Sequence, residues 1–158
     1  MKLAVFSDTH CNIGWCIEAV NEHRPDAVVH LGDHDKDALE LARAFPQLPM
    51  YSVCGNCDAA PFSPQKLVAQ FGPIKVLMCH GHQYSVRQDV SRLVYAAQEE
   101  GASLVLFGHT HQPTQEELGG VKLINPGTAG KGSKQSWCMV EILPSGGIAC
   151  TFHYRDKY

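Results

Sequence analysis

The chain has 158 residues, 44% of them hydrophobic, with a formal net charge of −3 and 18% charged residues. That is enough apolar chain for one domain, residues 1–158, with a full core and no need of disulfide staples. The charge balance excludes both a disordered chain and the basic stripe of a duplex nucleic-acid binder. "MKLAVFSDTH" has only four apolar residues between Lys2 and Ser7, too few for a signal-peptide core, and no segment reaches the length of a membrane span. The seven cysteines are odd in number and mostly sit in apolar runs, which reads as free thiols in a reducing compartment. A cytoplasmic protein without a membrane partner is expected; nothing in the sequence marks an oligomeric state.

Five apolar runs recur along the first two thirds: 2–8 (KLAVFSD), 27–33 (AVVHLGD), 50–56 (MYSVCGN), 74–80 (IKVLMCH) and 103–109 (SLVLFGH). They are near-continuous rather than alternating, the texture of strands covered on both faces. Between them lie helical patterns. One is capped by Asn12, places Cys16, Ile17 and Val20 on one face and stops before Pro25; a second, "DALELARAFP", aligns Ala38, Leu41, Ala42 and Phe45. A third, "SVRQDVSRLVYAAQEEG", has a capping box in Ser85 and Gln88 and ends at Gly101. Residues 60–72 fit a short helix or a hairpin through "GP", and the hairpin is preferred. From 113 onward, paired strands with glycine-bearing turns and a loop at 130–135 predict an antiparallel sheet following the βαβ half.

In an open α/β sheet, ligands bind beyond the carboxyl ends of strands. Those ends carry Asp8 and His10; Asp33, His34 and Asp35; Asn56 and Asp58; His80 and His82; His109 and His111. Six of nine histidines fall there. His30 reads as a hydrogen-bonded core histidine, and His23 and His153 as solvated surface residues. A single aspartate after a strand is ordinarily a cap or turn former, but five such ends together point to a metal centre. Mixed imidazole and carboxylate ligands suit manganese, iron or zinc. The ligands are too many for one ion, and two ions about 3.5–4 Å apart would need a bridging carboxylate, for which Asp33 is placed centrally.

The blocks "DTH" (8–10), "GD" (32–33), "GNCD" (55–58), "CHGH" (79–82) and "GHTH" (108–111) resemble the calcineurin-like metallophosphoesterase family, and with "INPG" (124–127) its small YfcE-type phosphodiesterases. The resemblance implies a four-layer αββα sandwich of two mixed sheets. It implies one metal on Asp8, His10, Asp33 and His111 and a second on Asp33, Asn56, His80 and His109. The cofactors it implies are two divalent ions, Mn2+ first, with Fe, Zn or Ni as alternatives. The activity implied is hydrolysis of a small phosphoester, a diester before a monoester, by in-line attack of a hydroxide bridging the ions. Asp33, Asn56 and His82 would form the catalytic set, and Asn12, Asn56 and Cys57 would contact substrate.

This chain departs from that family at three places. Cys57 replaces a histidine that would protonate the leaving group, which leaves His82 or a water for that role. Lys36 replaces a second aspartate, with Asp35 and Asp37 flanking it, and Cys11 replaces a glycine after "DTH". Two other readings compete. "CGNC" (54–57) fits a C-x-x-C redox pair, but no helix start follows to lower a thiol pKa. The same fold also serves as an interaction module in the retromer coat, without catalysis.

Overall fold

In the computed structural model, which describes residues 1–132 and 134–155, the five apolar runs begin as strands and stop short of their polar ends. The strands are β1 (Lys2–Phe6), β2 (Ala27–His30), β3 (Met50–Ser52), β4 (Lys66–Phe71), β5 (Ile74–Cys79), β6 (Leu104–Leu106), β7 (Pro113–Leu118), β8 (Val121–Pro126), β9 (Gln135–Ile142) and β10 (Ile148–Arg155). The helices are α1 (Gly14–His23), α2 (Asp35–Ala44) and α3 (Ser91–Glu100). The ten strands form two five-stranded sheets, β10-β9-β1-β2-β3 and β4-β5-β6-β8-β7. In the first, β1, β2 and β3 run parallel while β9 and β10 are antiparallel additions; in the second, β5, β6 and β8 run parallel between antiparallel edges.

Two-residue alternation explains why the runs look continuous. In β1, Leu3 and Val5 pack between the sheets with Val76, Met78, Leu104 and Leu106, whereas Ala4 and Phe6 face α1 and α2 with Cys16, Val20 and Leu41. In the second sheet, Leu77, Val105 and Leu123 face Leu93, Val94 and Ala97 of α3. Every central strand is therefore apolar on both sides. Helices, sheet, sheet and helix make the four-layer α/β sandwich that the resemblance implied.

Several expectations are corrected. The five runs do not share one sheet, and the C-terminal hairpins do not make a sheet of their own: β7 and β8 extend the second sheet, while β9 and β10 extend the first. The hairpin at 60–72 is real, β4 pairing with β5 across Gly72 and Pro73. Asn12 does not cap α1. Its N–H closes a turn on the Thr9 carbonyl at 3.0 Å, and the helix starts two residues later at Gly14. The Ser85–Gln88 capping box does not form either. Ser85 takes a left-handed conformation, the Gln88 N–H bonds the Ser85 carbonyl, and α3 begins at Ser91, whose N–H donates to Asp89 Oδ1 at 2.8 Å. Asp89 wins because an aspartate two residues ahead can accept that bond directly. His153 stacks on Trp137 at 4.1 Å and His23 meets the same ring at 5.1 Å, so neither is merely a solvated residue. The expected loop at 130–135 lies partly outside the described residues, at position 133, as do positions 156–158 of the expected domain.

His30 is fully buried at the end of β2. The Gly32 N–H donates to its Nδ1 at 3.3 Å, so the ring proton sits on Nε2 and is donated to Thr9 Oγ1 at 2.9 Å; Thr9 in turn donates to Asp37 Oδ2 at 2.6 Å. Both ring nitrogens are satisfied without a charge, and burial pushes the pKa from 6.5 down to about 4 against the pull of Asp37. The unfolded chain therefore takes up a proton here that the folded chain refuses, so stability is lost as pH falls from 6.5 toward about 4. In metal-free denaturation experiments across that window, His30→Gln should reduce the pH slope by up to about 1.4 kcal/mol per unit. Equal slopes in the two proteins would show that His30 is protonated in the folded state.

Candidate metal centre at the strand ends

The loops that follow β1, β2, β5 and β6 turn sharply. Nine non-glycine residues among those described have positive φ, and five of them are expected ligands: Asp8 (54°), His10 (45°), Asp33 (56°), His109 (69°) and His111 (61°). Each costs on the order of 1 kcal/mol, and such conformations concentrate where function requires them. Gly32, at φ 94°, allows the second and third loops to touch: a Cβ there would lie 2.6 Å from the Gly55 nitrogen.

Two carboxylates stand at the centre. Asp8, fully buried, accepts the Ser7 hydroxyl at 2.5 Å and the His109 N–H at 3.2 Å on Oδ2, while its Oδ1 lies 3.0 Å from His111 Nε2 and 3.8 Å from His80 Nε2. Asp33, 3% exposed, accepts the Cys57 N–H on Oδ1 at 3.0 Å. That oxygen is 3.3 Å from His80 Nε2, and Oδ2 is 3.8 Å from His10 Nε2. Burial raises the Asp33 pKa, but His80 and the Cys57 N–H outweigh it and hold the carboxyl well below the usual range.

The histidines respond to the same field. Burial lowers His80, yet Asp33 and Asp8 together raise it; the Asp8 bond raises His111. Burial and then His80 lower His109 and His82. His80 Nδ1 donates to the Leu31 carbonyl at 2.7 Å, and its buried Nε2 has no hydrogen-bond partner. One nitrogen bonded to a backbone carbonyl and the other bare and facing carboxylates is the arrangement a metal-binding imidazole needs.

Ligand atoms of Asp8, His10, Asp33 and His111 all lie within 4.8 Å of one another. This is the first of the two expected ligand sets. Of the second set, His80 lies against Asp33, its ring 5.1 Å from that of His109, whereas Asn56 is exposed with its amide on Cys57 Sγ at 3.6 Å. His82 lies beside both rings, 5.5 Å from His80 and 6.1 Å from His109. Asn12 sits at the turn after the first loop. The imidazole and carboxylate donors suit manganese, iron or zinc.

Of the residues that hold these in place, the sequence marked Asp35, Asp37 and Asp58 by their position at the strand ends and left Asn125 and Thr128 without a role. Asp58 accepts the N–H groups of His34, Asp35 and Gly55 at 2.7–2.9 Å, tying the second loop to the third and capping α2 from outside. Asp35 holds Phe62 and Ser63, and Asp37 holds Thr9 and Cys11. Asn125, fully buried, donates to the Gly108 carbonyl at 2.8 Å, and Thr128 donates to the Asp8 carbonyl at 2.9 Å. For Asn125 the available signal was a lone Asn in the apolar run "VKLINP".

The model of the calcineurin-like phosphoesterase superfamily domain matches residues 1–143. The chain belongs to the calcineurin-like phosphoesterase superfamily. It is 33% identical over 132 residues to the probable metallophosphoesterase YsnB of Bacillus subtilis, covering 81% of this chain and 75% of that one. It is 29% identical over 146 residues to the phosphodiesterase MJ0936 of Methanocaldococcus jannaschii, covering 80% and 83%. Its fold superposes on a Vps29 variant from Entamoeba histolytica with a TM-score of 0.80 at 22% identity, covering 99% of this chain and all of that one. Membership in this superfamily implies divalent metals, and the donor set at the strand ends fits them.

Ser7 tests the support around the centre. Ser7→Ala removes one of the two hydrogen bonds on Asp8 Oδ2 and should weaken metal binding by about 10–100-fold with the fold intact. Calorimetric metal titration beside a circular-dichroism melt checks this; unchanged affinity would show that the His109 N–H alone orients Asp8.

Proposed function

We propose that this phosphoesterase is a metal-dependent phosphodiesterase whose strand-end centre holds two divalent ions. The supporting observation is the convergence of Asp8, His10, Asp33 and His111, with the bare His80 Nε2 beside Asp33. Asp8, His10, Asp33 and His111 would hold one ion; Asp33, Asn56, His80 and His109 the other, Asp33 serving both. When bound, the ions would polarise the phosphoryl oxygens and make water a competent nucleophile near neutral pH. Mn2+ is the first choice, with Fe, Zn or Ni as alternatives.

The chain's own groups do the rest. Two divalent ions bring about +4 and the two carboxylates about −2, so the centre attracts an anionic ester. Asn12 and Asn56 carry amide donors for phosphoryl oxygens. A hollow of about 250 Å3 lined by His34, Asp35, Lys36, Cys57, Asp58, Ala59 and Ala60 offers room for one ester substituent, with Lys36 at its edge. Proton donation is the weak part. Burial and then Asp33 push the Cys57 thiol up, which makes it a reluctant proton donor, and burial and then His80 push His82 down, which disfavours its charged form. Such a site favours small diesters with good leaving groups, in keeping with the diesterase named among its relatives.

The free thiols support a cytoplasmic setting. Among the described residues no helix is long and apolar enough to cross a membrane. The likeness to Vps29 favours a second reading, an interaction module that binds metal without turnover.

Purified protein with Mn2+ should hydrolyse bis(p-nitrophenyl) phosphate, chelation should abolish the activity, and Asp33→Ala should lose metal together with more than about 10²-fold in rate. Turnover indifferent to both metal and Asp33 would overturn the proposal, and metal binding without turnover would favour the interaction module. Cys57→His should speed cleavage of alkyl diesters by about 10²-fold or more, read as kcat on matched aryl and alkyl substrates. No gain would show that leaving-group protonation does not limit the rate.

A further inference from the structure

Cys11, His34 and Asp37 form a second cluster of ligand-type side chains, and the centre described above uses none of them. Cys11 Sγ lies 3.6 Å from His34 Nδ1 and 3.2 Å from Nε2, and His34 Nδ1 lies 3.2 Å from Asp37 Oδ1. We propose that these three residues are a separate site for a thiophilic divalent cation, zinc in the first place.

The three ligand atoms lie within 4.8 Å of one another, within reach of one ion. With zinc about 2.3 Å from sulfur and about 2.0–2.1 Å from nitrogen or oxygen, a tetrahedron has a sulfur–nitrogen edge of about 3.6 Å and a nitrogen–oxygen edge of about 3.3 Å. The nitrogen–oxygen edge, His34 Nδ1 to Asp37 Oδ1, is 3.2 Å, whereas Cys11 Sγ stands over the imidazole face, 3.6 Å from Nδ1 and 3.2 Å from Nε2, so the half-exposed ring turns about its Cβ–Cγ bond to aim a nitrogen at a shared ion. The donor types also differ from those next door: the strand-end centre is imidazole and carboxylate, whereas this cluster adds a thiol, which selects zinc over manganese or magnesium.

Asp37 is held before any ion arrives. Asp37, 6% exposed, accepts Thr9 Oγ1 at 2.6 Å and the Cys11 N–H at 2.8 Å on Oδ2, which leaves Oδ1 for the cluster. Cys11 is exposed and the His34 side chain is 34% exposed, so water can complete the coordination. Cys11 and His34 also both sit at positive φ, 65° and 83°. Glycine would occupy either position at no cost; instead a thiol and an imidazole face each other there, each carrying on the order of 1 kcal/mol of strain.

Stepwise addition of Co2+ to the purified protein tests this, because only a sulfur ligand gives the near-ultraviolet thiolate-to-cobalt charge-transfer band. Cys11 and Cys57 are the two exposed cysteines. The band should appear in the wild type and in Cys57→Ser, and vanish in Cys11→Ser. His34→Ala should weaken zinc binding by more than the about 10–100-fold typical of an outer-sphere partner. Absence of the band in the wild type, its survival in Cys11→Ser, or its loss in Cys57→Ser would overturn the proposal. The last result would place the Cys57 thiol on the strand-end centre. Sulfur ligation is read independently of turnover, so failure of the phosphodiesterase reading leaves a distinct signature.

Discussion

Two carboxylates buried together are the constraint on which the structure turns. Asp8 and Asp33 sit almost wholly out of water at the ends of adjacent parallel strands. Each buried charge costs several kcal/mol unless hydrogen bonds and positive partners answer it. Much of the surrounding sequence does that: the Ser7 hydroxyl and the His109 N–H on one, the Cys57 N–H and His80 on the other, His10 and His111 at the rim. A chain with no use for cations at this place would gain by making these positions apolar.

The fold supplies the carboxylates and their partners from opposite sides. Asp8 and Asp33 follow β1 and β2 of the first sheet; His80, His109 and His111 follow β5 and β6 of the second. Parallel strands in both sheets bring those loops to the same edge of the sandwich. The apolar layer between the sheets fixes their separation, because Val5, Val29, Leu31, Met78 and Leu106 fill it just behind the ligands.

Much of this was legible in the sequence, and for a physical reason. Asp8, His10, Asp33, His109 and His111 stand where a buried run meets polar residues that packing does not require. What decides the partition of strands between sheets is not local: the run around Leu77 and that around Val5 have the same texture, since each is covered on both faces in whichever sheet it lies. The start of α3 was hidden by competition between two good caps, Ser85 and Asp89, six residues ahead of the helix and two. Ser7 and Thr128 were invisible, Ser7 because a hydroxyl beside an aspartate looks like any loop serine, and Thr128 because its partner, Asp8, lies far away along the chain. A serine or threonine carries no mark of a partner 120 positions away.

The bond from His80 Nδ1 to the Leu31 carbonyl crosses from the second sheet to the first. A cation held by Asp33 and His80 would close the same seam from its other nitrogen, so its binding energy becomes cohesion between the two halves of the sandwich. Emptying the centre would then loosen the layers where they meet at that edge, and the amides of the strand-end loops would be the first to exchange with water.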